Sequence, residues 1–126
     1  MKKQILLLIG GLYFLVMVSS CHHHRHFSSV TISDSRDEFR LCASYDRSKM
    51  HRLQRLLEED LGDDNSASFM HSRIDGDITL DEGTTFYMHS YPGELRIEID
   101  KDENSAESVQ RVREACEDIK YFLGRN

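Results

Sequence analysis

Apolar and polar residues along this chain change their period several times, and each change marks an element. From Ser28 to Ser33 they alternate, with Val30 and Ile32 on one side, which predicts a strand. Asp34-Ser35-Arg36-Asp37 is turn chemistry. From Glu38 to Tyr45 alternation resumes, with Phe39, Leu41, Ala43 and Tyr45 on one face. Pairing Ser33 with Glu38 sets Ile32 opposite Phe39 and Val30 opposite Leu41, a hairpin with one apolar side. From Ser48 the spacing lengthens: Met50, Leu53, Leu57 and Leu61 recur at helical intervals. Asp46 or Ser48 can cap that helix, and Gly62 can stop it. Asp63 to Ser68 is a polar loop.

A three-strand meander follows. Ile78 and Leu80 alternate with Asp77 and Thr79, and Asp81-Glu82-Gly83 makes a three-residue loop with Gly83 left-handed. Thr84 to Tyr91 is the middle strand, Pro92-Gly93 the turn, and Glu94 to Asp100 the last strand. These turns set Leu80 opposite Thr84, Ile78 and Ile99 opposite Phe86, Met88 opposite Ile97, and Ser90 opposite Leu95. One face then gathers Ile78, Leu80, Phe86, Met88, Leu95, Ile97 and Ile99, so independent turns agree on one apolar surface. The opposite face receives Tyr87 across from Glu98, His89 from Arg96, and Tyr91 from Glu94. Tyrosine and arginine concentrate at binding hot spots, so Tyr87, His89, Tyr91, Arg96 and Glu98 form the candidate binding face. The plain alternative is a set of cross-strand pairs on a solvated surface.

Asn104 with Glu107 resembles a capping box, and Val109, Val112, Cys116, Ile119 and Leu123 line one face of a second helix that ends at Gly124. The order strand-strand-helix-strand-strand-strand-helix, with short connections, predicts an α+β fold: an antiparallel sheet with two helices packed on one face. From Ser48 onward this order is that of double-stranded-RNA-binding domains. Acidity, predicted export and the lack of a basic helix start argue against that function here.

The first residues have a different pattern. Met1-Lys2-Lys3 is basic, Ile5 to Val18 is a nearly unbroken apolar run, and Ser19-Ser20-Cys21 follows. Such a run is short of the roughly 20 apolar residues a spanning helix needs and fits a secretory signal peptide. Val18-Ser19-Ser20-Cys21 resembles the lipobox of bacterial lipoproteins. The resemblance implies that residues 1–20 are removed and that Cys21 is acylated on its thiol and becomes the new N-terminus. It also implies a lipid-anchored place in the cell envelope, with His22 after the cysteine pointing to the outer membrane, on its periplasmic or surface side.

His22, His23, His24 and His26 then belong to a polar tether, residues 21–28, ahead of a single domain at 29–126. Short histidine tracts also bind zinc, copper or nickel, so a metal-handling lipoprotein is the alternative. Adjacent imidazoles on a tether are not preorganised, and no carboxylate lies nearby to orient them. The whole chain has a net charge of −6; residues 1–20 carry two lysines and no acid, so the processed chain carries −8. That acidity disfavours nucleic acid and weakly favours basic partners.

Two cysteines remain, Cys42 pointing outward from its strand and Cys116 on the core side of its helix. A disulfide between them is the usual reading in an oxidising compartment, but the facing directions oppose it. Asp100-Lys101-Asp102-Glu103-Asn104 resembles the opening of an EF-hand loop, yet its sixth position is Ser105 and its twelfth Arg111, so capping is the better account. No nucleophile–base spacing, phosphate loop or Cys-x-x-Cys pair is present. The expected function is therefore non-catalytic binding, with no cofactor and an envelope protein as partner. An inhibitor or immunity lipoprotein against an envelope-active enzyme is a further alternative. If Cys21 is acylated, mass spectrometry of the membrane-extracted chain will find a lipidated Cys21 terminus, and Cys21→Ser will leave the precursor unprocessed. An intact Met1 terminus on the wild-type chain would remove the anchor.

Overall fold

The segments of period two and of helical period become five strands and two helices in a computed structural model, which describes residues 28–62, 68–71 and 73–125. Strands β1 (Ser29–Asp34) and β2 (Glu38–Ser44) lead through a 3-10 turn (Arg47–Lys49) into α1 (Met50–Leu61). Strands β3 (Ile74–Thr79), β4 (Thr85–Tyr91) and β5 (Glu94–Asp100) follow, then α2 (Ala106–Gly124). All pairings are antiparallel, and the strands lie in the order β1-β2-β5-β4-β3. The expected α+β class is the observed one. The signal-like segment, Cys21, His22, His23, His24 and His26 lie outside the described residues.

The meander has the register its turns predict: Ile78 pairs with Phe86, Met88 with Ile97 and Ser90 with Leu95. Gly83 and Gly93 both have φ in the left-handed region, +97° and +87°, where a side chain would be strained. Strand β3 begins earlier than the alternation around Ile78 suggests, because Gly76 interrupts its apolar face.

The β1–β2 hairpin is offset by two residues from expectation. Ser33 pairs with Arg40, Ile32 with Leu41 and Val30 with Ala43. The Ser35 amide donates to the Glu38 carbonyl at 2.9 Å, so the turn tightens to Arg36-Asp37 and the ladder runs further towards it. An even offset preserves the faces, which is why the apolar pattern could not detect it.

Inner-face residues Phe39, Leu41, Phe86, Met88, Leu95, Ile97 and Ile99 join Leu53, Leu57 and Leu61 of α1 and Val109, Val112, Cys116, Ile119 and Leu123 of α2 in one core. Each fully buried leucine or isoleucine contributes about 1.5–3 kcal/mol over an exposed one. The loop after α1 is held by two polar side chains one helical turn apart. Gln54 Nε2 donates to the His71 carbonyl at 2.9 Å, and Glu58 Oε1 accepts from the Phe69 amide at 2.5 Å, seating Phe69 in the core.

The cap of α2 is Ser105, one residue later than the capping-box pattern indicates; its hydroxyl accepts from the Ser108 amide. Asn104 does something else. Its Oδ1 accepts from the Thr85 amide at 2.9 Å, and its Nδ2 donates to the carbonyls of Thr85 at 3.0 Å and Asp100 at 2.8 Å. The side-chain amide thus completes the ladder where β5 leaves the sheet.

Between the helices, Asp60 of α1 faces Asp118 of α2. Asp60 Oδ2 is shut from solvent and meets no donor among the described residues. Burial, then contact with Asp118 and the charges of Asp118 and Glu59, push the Asp60 carboxyl up to about 6. A proton on Asp60 would donate to Asp118 and remove both the orphan and the repulsion. The folded chain therefore holds this proton more tightly than the unfolded one. Its contribution is complete below about pH 4 and is lost as the pH rises through about 6. Asp118 is exposed and water screens the pair from that side, so the effect is about 1 kcal/mol. Asp60→Asn keeps a donor towards Asp118 at every pH. Thermal melts should show Tm raised by about 4 °C near neutral pH and the slope between pH 4 and 7 flattened; an unchanged slope would mean that another group controls it.

Candidate functional site

Because both helices cover the same face of the sheet, the other face is left open. The meander's register brings all five predicted residues together there. Tyr87, His89 and Tyr91 project from β4, and Arg96 and Glu98 from β5, with Tyr87 paired to Glu98, His89 to Arg96 and Tyr91 to Glu94.

The side chains form a connected surface. Tyr87 donates its hydroxyl to Asp75 Oδ1 of β3 at 2.5 Å, while the Arg96 guanidinium lies over the Tyr87 ring, 5.5 Å from its centroid. Arg96 also approaches Glu98, Nε to Oε1 3.5 Å, and Glu98 takes a second contact from Arg40 of β2 at 3.2 Å. Towards the other end, His89 and Tyr91 stack with centroids 4.3 Å apart, and Arg73 lies 5.2 Å over the Tyr91 ring. His89 Nε2 is 3.4 Å from Glu94 Oε2.

Arg73 and Asp75 belong to this surface and were missed by sequence reasoning. The alternation of Arg73, Asp75 and Asp77 on one side of β3 carried the signal, which Gly76 on the apolar side obscured. Hydrogen bonding to Asp75 raises the Tyr87 phenol above its ordinary range, against the lowering effect of Arg96.

Two shallow depressions flank this ladder. One, about 380 Å³, is bordered by Cys42, Ser44, His89, Glu94 and Arg96. The other, about 390 Å³, includes Asp37, Glu38, Asp77, Glu98, Asp100 and Asp102. Among the described residues, no group of three or more histidine, cysteine, aspartate or glutamate side chains is arranged to hold a metal ion. Asp100 Oδ1 instead accepts from the Asp102 amide at 2.8 Å, and Lys101 pairs with Asp34. Asp34 also receives Arg113 of α2 at 2.9 Å; the Lys101 hydrogen bond, aided by both cations, holds its carboxyl below the usual range.

Cys42 sits exposed on the open face opposite Arg96, and Cys116 is buried in the core on the other side of the sheet; both thiols are free. Burial pushes the Cys116 thiol up to about 12, which makes it a poor nucleophile while the fold is closed.

The arrangement defines a small α+β domain with one clothed and one bare sheet face. No helix among the described residues is long and apolar enough to cross a membrane. Comparison with family models, with curated proteins and with solved structures finds no match to this chain.

The ladder can be probed through its phenol. Asp75→Asn removes the acceptor charge and leaves Arg96 in place, so spectrophotometric titration should show the Tyr87 phenol ionising at lower pH than in the wild type. A Tyr87→Phe control identifies its signal, and an unmoved titration would separate Tyr87 from Asp75.

Proposed function

We propose that this chain is a lipid-anchored cell-envelope protein whose domain binds a partner protein, without catalysis, through the bare sheet face of Tyr87, His89, Tyr91, Arg96 and Glu98. The observation that carries the reading is the one-sided placement of the helices. They bury most of the apolar face and leave an open surface of aromatic rings beside paired charges. Tyrosine offers large contact area at small entropic cost, and arginine adds directional donors. Net acidity and the pairing already present within the ladder favour a partner of mixed polarity over a nucleic acid.

A photo-crosslinking residue at position 94, beside the ladder, tests this in intact cells. A discrete crosslinked protein is expected, lost when Tyr87→Ala and Tyr91→Ala are combined in a chain that still folds. Recovery of the same protein by the doubly substituted chain would end the proposal for this face.

A further inference from the structure

Carboxylates predominate at one end of the strand axis and cations line a groove at the other, although the chain as a whole is acidic. Glu38 pairs with Asp100 at one end of the sheet, where the β1–β2 turn and the segment after β5 supply Asp37, Asp102 and Glu103. The opposite end carries the start of α1 and the close of α2. There a groove of about 600 Å³ is lined, among the described residues, by Ser48, Lys49, Arg52, Phe122 and Arg125, which supply three cations and no carboxylate. A neighbouring depression adds Arg55, Leu56 and Tyr121, with Glu59 and Asp118 also in its wall.

Three observations give this end a direction. Arg52 and Arg55 are exposed and enter no ion pair with any described residue. Tyr121 is the most exposed large ring beside them, at 68%, with Arg125 lying 5.3 Å over it. Ser29, at the start of β1, pairs with Ser44, four residues before Ser48, so the chain enters the domain at the groove's own end.

We propose that this basic and aromatic end rests on an anionic phospholipid surface, with headgroup phosphates received between Lys49, Arg52 and Arg125. Cations near an anionic leaflet are drawn to it, and tyrosine favours the interfacial layer. The cations extend past the groove to Arg55, beside the exposed Tyr121 ring, and that spread suits a surface better than a small free anion, which needs donors converging on one point. The orientation rests on the anchoring reading above, whereas the charge and aromatic placement stand apart from it. In this pose the acidic end points away from the bilayer, and the Tyr87 ladder stands upright, open to partners beside the membrane.

The chain contains no tryptophan, so Tyr121→Trp in the full chain gives a single reporter. Reconstituted in phosphatidylglycerol-containing vesicles, its quenching by neutral acrylamide should be about two-fold weaker than in purely phosphatidylcholine vesicles. Salt near 1 M, where the screening length is about 3 Å, should abolish the difference. Combined Arg52→Glu, Arg55→Glu and Arg125→Glu should abolish it too, with Arg52→Gln/Arg125→Gln as a milder check if the triple reversal disturbs the circular dichroism. Equal quenching on both vesicle types overturns the proposal, and so does equal protection by soluble glycerophosphate, which would make the groove a small-anion site. Flotation separates the two readings. A chain that floats on both vesicle types with equal quenching keeps its anchor and loses this contact. One that floats on anionic vesicles alone keeps the contact and loses the anchor, and one that floats on neither loses both.

Discussion

The central strand sets the terms for the rest of the molecule. Strand β5 is hydrogen-bonded on both edges, to β2 and to β4, so it cannot shift against one neighbour without breaking its ladder with the other. Its alternate residues are therefore committed: Leu95, Ile97 and Ile99 inward, Glu94, Arg96 and Glu98 outward. A one-residue slip would bury three charges and expose three apolar side chains. Both helices pack against the face so defined, and the outer ladder inherits its spacing from the same constraint.

The parts of the fold legible in the sequence were those in which a short turn and a clean alternation restrict the same strands. Asp81-Glu82-Gly83 and Pro92-Gly93 each permit few backbone geometries, and the apolar residues of β4 agree with both; the five residues of the candidate face followed from that register. The β1–β2 offset was illegible because a two-residue shift keeps every side chain on its own face, and the alternatives differ only in which residues pair along the ladder that closes at Ser35 and Glu38. Asn104 has the sequence neighbours of a cap, whereas its role depends on Thr85, which is remote in sequence. The Asp60–Asp118 contact and the cationic groove are likewise products of antiparallel helix packing. A net charge of −6 conceals the groove, because charge counting discards position.

Side chains repeatedly do the work of backbone where the elements end. Asn104 continues the ladder beyond β5, and Lys49 Nζ donates to the Arg125 carbonyl at 3.2 Å beyond the close of α2. Glu58 and Gln54 hold the returning loop, whereas backbone itself fastens the β4–β5 turn to the chain leaving β2, where the Tyr45 amide donates to the Gly93 carbonyl at 3.0 Å. Each contact supplies a partner to a peptide group that regular structure leaves behind. The polar residues nearest the core are thus engaged in joining elements, while those of the open face are engaged mainly with one another.

The two described cysteines divide the chain's sulfur chemistry between an accessible and a hidden position. Cys42 meets solvent whenever the domain is folded, whereas Cys116 meets it only when α2 lifts from the sheet. The same molecule therefore carries a surface handle for labelling and an internal gauge of its own opening, and the ratio of their labelling rates reports how often the helical layer comes away.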